Sequence, residues 1–467
     1  MNAGVVMLSS ALNVLPRHRA ALLAAALLAP LGASASSGGA FQGPALAGVP
    51  VEFFLFGCVL AGVALFHAFT LRIAMGGAVG IALYKVIASP FATGAGLGGF
   101  AGHLAHEWVV LANLLLLLLG FALLAKHFED SEVPAVLPRW LPDDWKGCFA
   151  LLALVFVISA FLDNIAAAMI GGAIAHTLFR GRVHTGYLAA IVAASNGGGA
   201  GSVVGDTTTT MMWIAGIGPA EVFEAYIGAG LALFIFGIPA AIQQQAHSPI
   251  QKDEKPGTHI DWMRVGIVLA ILIAAIIANV GVNLHAPALA DAFPFLGLAV
   301  WATILLSAPL RRPDWSLLPG AFKGSVFLLS LVLCASMMPV EKLPMASWPT
   351  ALGLGFLSAV FDNIPLTALA IKQGGYDWGY LAYAVGFGGS MIWFGSSAGV
   401  ALANMFPQAR SVGQWITKGW YVPVAYVIGF GAMVLTLGFH PGSAPRGQTA
   451  PAPAAVTAPV AAPARAP

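Results

Sequence analysis

The sequence SNGGGAGSVVGDTTTT occupies residues 195–210 and lies between two apolar segments, GYLAAIV (186–192) and MMWI (211–214). Apolar flanks of this kind predict a membrane helix, but glycine favours backbone conformations that a helix does not use. Within a bilayer, an unwound backbone persists only where protein or a water-filled cavity satisfies its polar groups. The stretch therefore predicts a broken membrane helix with a binding site near the bilayer midplane. A small-residue packing face is the alternative, and it leaves the carboxylate of Asp206 unexplained.

The composition of the whole chain agrees with a membrane location. Of the 467 residues, 59% are hydrophobic and only 9% are charged, whereas soluble domains carry roughly a quarter charged residues. The mean hydropathy is +0.85 and the formal net charge is +2. We therefore expect an all-α polytopic membrane protein with the lipid bilayer as its main partner and no nucleic-acid partner. The three cysteines have no paired spacing and indicate neither a disulfide framework nor a metal site.

The ends of the chain differ in composition from its middle. Residues 1–35 contain a basic segment, an apolar run and a small-residue motif, which fit either a bacterial secretory signal or an uncleaved first span. Residues 441–467 are rich in proline and alanine and predict a disordered tail. The remainder divides into two halves, 49–245 and 263–439, joined by a linker at 246–262 that we expect to be cytoplasmic.

Segments of about twenty apolar residues are long enough to cross a bilayer as a helix. The predicted spans are 49–68, 73–91, 107–125, 186–215 (broken), 222–243, 263–283, 294–310, 322–340, 379–406 (broken) and 420–439. Two further apolar stretches, 147–179 and 348–373, each contain an Asp-Asn pair halfway. A carboxylate and an amide at the centre of an apolar segment indicate a functional position, so we predict that each stretch is a re-entrant hairpin with the pair at its tip.

The distribution of lysine and arginine supports the hairpins. If both stretches enter and leave on one side, the outer segments are 92–106, 216–221 and 284–293, which contain no Lys or Arg, and two hairpin flanks with Lys342 and Lys372. Most Lys and Arg residues then lie inside, as the positive-inside rule predicts. If either stretch crossed the membrane fully, every later segment would change sides, and Lys and Arg would collect outside. The same topology opens the first hairpin inward and the second outward, which predicts two inverted repeats, an arrangement found in many secondary transporters. Parallel repeats at this spacing are the alternative.

The two halves also repeat in sequence. The motif Gly-Tyr-Leu-Ala at 186–189 recurs at 379–382, and Asp163-Asn164 recurs as Asp362-Asn363. Each half therefore contains a hairpin followed by a broken span with a polar, glycine-rich centre. No ATP-binding motif is evident, so we do not expect a primary pump unless a partner supplies the ATPase. We expect neither an enzyme nor a cofactor.

Asp163, Asp206 and Asp362 are the carboxylates well inside the apolar stretches. A charge at the bilayer midplane costs at least about 2.5–3.5 kcal/mol on insertion scales. Lys85 is the only obvious buried cation and can neutralise at most one of them, whereas Glu52, Glu107 and the histidines near span ends are expected at the membrane interface. A carboxylate without a fixed partner takes up a proton or binds a cation, and a site that exchanges the two is the minimum chemistry of a cation/proton antiporter.

The neighbouring residues suit a small hard cation such as sodium, which prefers oxygen ligands. We predict that the two Asp-Asn tips, residues 163–164 and 362–363, hold sodium transiently. Neutral oxygen donors are offered by Asn164, Asn363, Ser195, Asn196, Ser202, Thr207 and Thr208. No arginine lies at either tip or break, which disfavours an anionic substrate, although helix N-termini remain available to one. A channel or a non-transporting scaffold is the alternative from a different class.

Four segments together resemble the NhaD-type sodium/proton antiporters, which belong to a superfamily with the arsenite pumps and the citrate and dicarboxylate carriers. They are FLDNIAAAMI (161–170), AASNGGGAGSVVGDTTTTMMWIAG (193–216), SAVFDNIPLTALA (358–370) and GFGGSMIWFGSSAGVA (386–401). The resemblance covers about residues 51–438. It implies a bacterial inner-membrane protein, usually a homodimer, that exchanges sodium or lithium for protons, with ion sites at the hairpin tips and broken helices. The superfamily leaves a citrate, dicarboxylate or arsenite carrier as the alternative.

The resemblance assigns the ion and proton site to matched positions of this chain. They are Asp163, Asn164, Asn196, Ser202, Gly205, Asp206, Thr208 to Thr210, Asp362, Asn363, Gly389, Ser390, Ser396 and Ser397. Two positions depart from the family pattern. Alanines at 166–168 replace the threonines that usually follow the first Asp-Asn pair, and Thr207 stands where the family usually has valine.

Overall fold

The computed structural model describes residues 43–66, 69–136, 141–251, 259–285 and 292–445. Within these ranges the chain is mostly helical, apart from a two-stranded antiparallel hairpin, β1 (Ala45–Leu46) and β2 (Val49–Pro50), before the first helix. The predicted all-α class is confirmed for this part of the chain. The predicted signal or first span at 1–35, part of the linker at 252–258 and the tail from residue 446 lie outside the described residues.

The first half of the chain contains ten helices among its described residues. They are α1 (Val51–Leu65), α2 (Thr70–Ala88), α3 (Gly96–Glu129), α4 (Val133–Val136), α5 (Trp145–Ser159), α6 (Asn164–Leu178), α7 (Thr185–Ala200), α8 (Thr207–Ile214), α9 (Pro219–Phe223) and α10 (Ala225–His247).

The second half repeats the main helices of the first in the same order. Its described α-helices are α11 (Trp262–His285), α12 (Phe295–Ser307), α13 (Leu318–Ser336), α14 (Trp348–Ser358), α15 (Asn363–Gln373), α16 (Trp378–Gly388), α17 (Ser397–Met405), α18 (Val412–Lys418) and α19 (Tyr421–Thr436), with short 3-10 turns between some of them. In both halves three long helices precede a helix pair with Asp-Asn at its turn, and an interrupted helix follows.

Several of these helices are able to cross a membrane by length and composition. Four segments of the described chain qualify, Thr70–Ala88, Gly96–Glu129, Pro219–His247 and Trp315–Ser336, and a fifth does if the bent pair α18–α19 counts as one span. On α2, Met75, Val79, Leu83 and Ile87 recur every four residues and are 46%, 59%, 55% and 83% exposed. A continuous apolar stripe of this kind marks a surface that faces lipid or another protein, as a multi-pass membrane protein requires.

The two tips are the turns that join α5 to α6 and α14 to α15, at residues 160–163 and 359–362. Asp163 and Asp362 are the N-cap residues of the helices that follow. Aspartate is favoured at this position because its carboxylate can accept from the free N–H groups of the first turn. Asp362 does so, accepting from the amide of Ile364 at 3.1 Å, whereas the side chain of Asp163 forms no such cap.

The first break spans residues 201–206. The helix before it, α7, includes the three consecutive glycines at 197–199 and ends at Ala200. Side-chain hydroxyls accompany the unwound segment. Thr209 Oγ1 donates to the carbonyl of Ser202 at 2.6 Å, Thr210 Oγ1 donates to Val203 at 3.0 Å, and Ser202 Oγ donates to Ala160 of the first tip at 2.6 Å. The hydroxyl-rich sequence after the break therefore satisfies backbone groups that water cannot reach in an apolar interior.

Helices of the two halves pack across each other. α6 packs against α17, and α15 packs against α8, so the helix after each tip contacts the helix after the opposite break. α7 and α16, which precede the breaks, also pack together. A large core surrounds these elements, and a second apolar cluster joins α1, α2 and α13 with part of α15. The tips and breaks consequently meet in one central region.

The end of the described chain is packed against this body. Gly442 donates its amide to Tyr376 at 2.9 Å, and Trp378 donates its indole N–H to the carbonyl of Ser443 at 2.8 Å. Ser443 also donates to the carboxylate of Glu221 at 2.6 Å. The packed part of the protein therefore extends to Ser443, two residues beyond the start of the predicted tail.

Two glycines allow helices to approach within backbone contact. A Cβ atom on Gly198 would overlap the carbonyl of Phe156 in α5, and one on Gly388 would overlap the carbonyl of Gly355 in α14. Each glycine lies just before a break and faces the first helix of the neighbouring tip pair. The close contact therefore positions each tip against its break.

We expect Gly198→Ala and Gly388→Ala each to lower the stability of the solubilised protein by about 1–3 kcal/mol, because the added methyl group collides with a backbone atom that cannot move alone. Thermal unfolding of purified protein in one detergent measures the change. Gly230→Ala in α10 is the matched control, since open space surrounds its Cβ direction, and alanine is the better helix former. Equal melting temperatures for all three variants would contradict the packing argument.

Candidate functional site

The candidate ion site is centred on Asp206, the N-cap residue of α8, which is only 2% exposed. One carboxylate oxygen accepts from Asn164 Nδ2 at 3.1 Å, and the other accepts from Thr208 Oγ1 at 2.6 Å and from Asn363 Nδ2 at 3.4 Å. The donors come from both tips and from the helix after the first break. Asp206 therefore connects the two halves of the chain through its two oxygens.

Asn196 is the second connecting residue and is fully buried in α7. Its side-chain oxygen accepts from Asn164 Nδ2 at 3.0 Å. Its amide nitrogen donates to Ser390 Oγ at 3.0 Å and to Ser396 Oγ at 3.1 Å, at the two ends of the second break. Asn164, Asn196, Asp206, Asn363 and the two serines thus form one hydrogen-bonded network across the pseudo-repeat.

The tip aspartates lie at the edge of this network. Asp163 and Asp362 are each half-buried and directly precede the asparagines that enter it. Asp362 accepts from Ser397 Oγ at 2.9 Å, and that serine begins α17. The second tip therefore brings the carboxylate of Asp362 next to a neutral hydroxyl of the helix after the second break.

Among the described residues, no ion pair within 4 Å involves any of the three aspartates. Lys85, the one cation expected to neutralise an aspartate, instead lies 3.8 Å from Glu52. Glu52 is fully buried and also accepts from Ser89. Glu52 lies in the first turn of α1, near a span end as expected, and the buried lysine and serine provide it with partners inside the protein.

Asp261, an acidic residue outside the apolar helices, does have basic partners. Asp261, just before α11, accepts from Arg311 Nε at 2.7 Å, and Arg264 lies 3.8 Å away. The hydrogen bond from Arg311 lowers the pKa of Asp261 below its ordinary value. Asp261 therefore has a guanidinium partner, whereas the carboxylates at the tips and the first break have no basic group within 4 Å among the described residues.

Two predicted site residues have other roles. The hydroxyl of Ser195 donates within its own helix, to Val192 at 3.0 Å, and does not reach the network. Ser202 holds the break to the first tip through Ala160. Thr208 contacts Asp206 directly, and Thr207 begins α8 in a buried position.

Two serines that the sequence analysis did not identify also position the tips. Ser159 Oγ donates to the carbonyl of Ser195 at 2.6 Å, and Ser358 Oγ donates to the carbonyl of Val385 at 2.7 Å. Each serine ends the first helix of a tip pair and ties it to the interrupted helix beside it. The signal is present in the sequence, because Ser-Ala-x-x-Asp-Asn occurs at 159–164 and again at 358–363.

Two histidines expected at span ends are also buried. His103 is 5% exposed and lies 3.0 Å from Ser336 Oγ through its Nε2 atom, and His127 is 1% exposed and lies 2.9 Å from Arg264 through its Nδ1 atom. Both belong to the long helix α3, which extends further at each end than the predicted span 107–125. The extra length carries both residues into the protein interior.

A cavity of about 270 Å³ reaches the second tip. Asp362 and Ser397 lie on its wall, with Ile165 of α6 and Phe394 of the second break nearby. Asp163 is not one of its lining residues. In this conformation, therefore, the cavity gives access to one tip carboxylate and not to the other.

Comparison of the chain with models of known protein families finds no match, and a search of curated proteins finds no significant relative. Functional inference therefore depends on the chemistry of the site and on the resemblance in its motifs.

We expect Asn164→Ala to destabilise the protein more than Asn363→Ala. The first change leaves the buried side-chain oxygen of Asn196 without its donor and removes the shorter of the two hydrogen bonds to Oδ1 of Asp206, which costs about 1–3 kcal/mol. The second removes one long hydrogen bond of 3.4 Å, for which a loss of about 0.5–1 kcal/mol is expected. Thermal unfolding in sodium-free buffer compares the two variants, and a larger loss for Asn363→Ala would show that the network is centred elsewhere.

Proposed function

We propose that this protein is a secondary active transporter that exchanges sodium, or lithium, for protons across a bacterial inner membrane. The observation that carries the proposal is that three aspartates between apolar helices, Asp206 buried and Asp163 and Asp362 half-buried, have no basic partner within 4 Å in the described chain. An uncompensated carboxylate at such a depth is costly. A bound cation or a proton removes that cost, and the alternation between the two is exchange.

The aspartates divide into two roles. The oxygens of Asp206 already accept from two asparagines and a threonine, so we assign Asp206 to holding the tips and the first break together. Asp163 and Asp362 have fewer partners in the protein and retain lone pairs for an incoming ion. We therefore assign cation and proton binding to the tip aspartates, with Asn164, Asn363, Ser390, Ser396 and Ser397 as neighbouring neutral ligands.

The repeated order of helices supports a fold of two inverted repeats, each with a re-entrant hairpin and a broken membrane helix. Equivalent contacts recur in both halves, since Ser159 and Ser358 tie each tip pair to its interrupted helix. The inversion itself rests on the lysine and arginine distribution. In this arrangement the two tips enter the membrane from opposite sides, and alternating access becomes a movement of the tips and breaks relative to the other helices.

The cavity at Asp362 indicates the side of the membrane from which an ion reaches the site. Thr70, at the start of α2, lines the cavity, and Arg72, two residues further along the same helix, favours the cytoplasmic side for this end of α2 by the positive-inside rule. The conformation is therefore best interpreted as inward-facing, with Asp362 accessible to a cytoplasmic ion. The NhaD-type resemblance agrees with this function and adds the expectation of a homodimer.

An anion carrier of the same superfamily is the competing function. Four helix N-termini, those of α6, α8, α15 and α17, meet near the network, and helix N-termini favour anions. However, three of the four have an aspartate at the N-cap position, Asp163, Asp206 and Asp362. These carboxylates repel citrate or a dicarboxylate, so the cation is favoured.

We expect Asp163→Asn and Asp362→Asn each to abolish sodium-driven proton movement, because the amide cannot exchange a proton for a cation. Everted membrane vesicles with a pH-sensitive dye measure the movement, and membrane insertion is checked by immunoblot. Glu132→Gln is the matched control, since that carboxylate is exposed in a loop, and it should exchange normally. Normal exchange by both aspartate variants would overturn the assignment of the tips.

Purified protein in proteoliposomes separates the two candidate functions. Sodium alone should move protons in the absence of citrate, succinate or arsenite, whereas a carrier for those anions requires them. Flux of citrate without any sodium-driven proton movement would replace the antiporter proposal with the carrier. Sodium flux that needs no counter-ion would indicate a channel.

A further inference from the structure

The cavity beside Asp362 is more apolar than passage of a hydrated sodium ion requires. Leu60 and Val63 of α1 and Phe327 and Leu331 of α13 are part of its wall. These side chains offer water no hydrogen bonds, whereas an apolar group that is buried against them is stabilised in proportion to the area it buries. The wall therefore suits a ligand with a hydrocarbon body.

Asp362 is the charged residue among those that line the cavity. One of its oxygens accepts from Ser397 Oγ at 2.9 Å, and the other accepts from the amide of Ile364 at 3.1 Å. Each carboxylate oxygen has a further lone pair. No lysine, arginine or histidine lines the cavity, so the charge of Asp362 is not balanced from within it.

We propose that this cavity binds a small apolar monocation, an ammonium group attached to a single-ring hydrocarbon, with the ammonium at Asp362 and the ring between α1 and α13. A volume of about 270 Å³ lies just below the usual range of about 300–1,000 Å³ for small-molecule sites, which limits the body to about one ring. Charge complementarity selects the cation. A lipid chain or a neutral hydrocarbon in the same space would leave the carboxylate facing an apolar group, which is unfavourable.

Binding of such a cation deepens the proposed function in one respect, because an ammonium group at Asp362 occupies the place assigned to sodium. Competition with sodium rests on that proposed function. The binding itself depends only on the cavity and on Asp362.

Equilibrium binding of radiolabelled benzylammonium to the full-length protein in nanodiscs at pH 7 tests the inference, with protein-free nanodiscs to subtract partition into lipid. Benzyl alcohol has the same shape without the charge and should bind at least tenfold more weakly. Asp362→Asn should also weaken benzylammonium binding at least tenfold. Glu132→Gln is the matched control, because Glu132 is exposed and does not line the cavity, and it should leave binding within about twofold of the unmodified protein.

Ala401→Phe gives a second test that keeps the carboxylate. Ala401 lines the cavity, and a phenyl group there fills the space for the ring, so benzylammonium binding should fall at least tenfold while the elution profile on size-exclusion chromatography stays unchanged. Equal binding of the alcohol and the ammonium ion, or unchanged binding in Asp362→Asn, would overturn the proposal.

A transport assay on the same preparations separates this inference from the proposed function. Binding that depends on Asp362 in a protein without sodium/proton exchange supports the cavity site and removes the antiporter. Exchange that proceeds without any saturable benzylammonium binding retains the antiporter and removes the cavity site. Displacement of bound benzylammonium by sodium supports both.

Discussion

A buried carboxylate must be surrounded by donors, and this requirement organises the centre of the protein. Asp206 accepts from Asn164 of the first tip, Asn363 of the second tip and Thr208 of its own helix. These donors come from parts of the chain that are far apart in sequence. Because each of them is itself buried, displacing one removes a hydrogen bond from a region that water does not reach, and each polar group left without a partner there costs about 1–3 kcal/mol. The positions of tips and break are therefore mutually dependent.

Interrupting a helix in an apolar interior creates a second requirement, since the freed backbone groups also need partners. Threonine and serine hydroxyls meet it in this protein, with Thr209 and Thr210 donating to carbonyls of the first break and Ser202 joining that break to the first tip. The threonine run thus has a structural role. Of its four hydroxyls, the one on Thr208 contacts the carboxylate of Asp206, so only part of the motif bears directly on the candidate ion site.

Sequence alone located the helices and their interruptions well, because apolar runs and polar centres are local signals. The Asp-Asn pairs were predictable as turns for the same reason, because a carboxylate is costly in the middle of an unbroken apolar helix. Partners were not predictable. Asn196 contacts Ser390 and Ser396 almost two hundred residues away, and only the crossed packing of the halves brings them together. The partner of Lys85 was equally unpredictable, because Glu52 lies on a different helix and the two residues become neighbours only when α1 and α2 pack.

The backbone contacts at Gly198 and Gly388 also bear on how the molecule can move. No side chain separates α7 from α5 or α16 from α14 at these crossings, so there is no flexible layer at which the paired helices could slide. Each tip must travel with the interrupted helix beside it as a rigid unit. The softer boundary is the apolar cluster that α1, α2 and α13 form with α15, where side chains can exchange neighbours at little cost, and a change in shape of this protein should take place along that boundary.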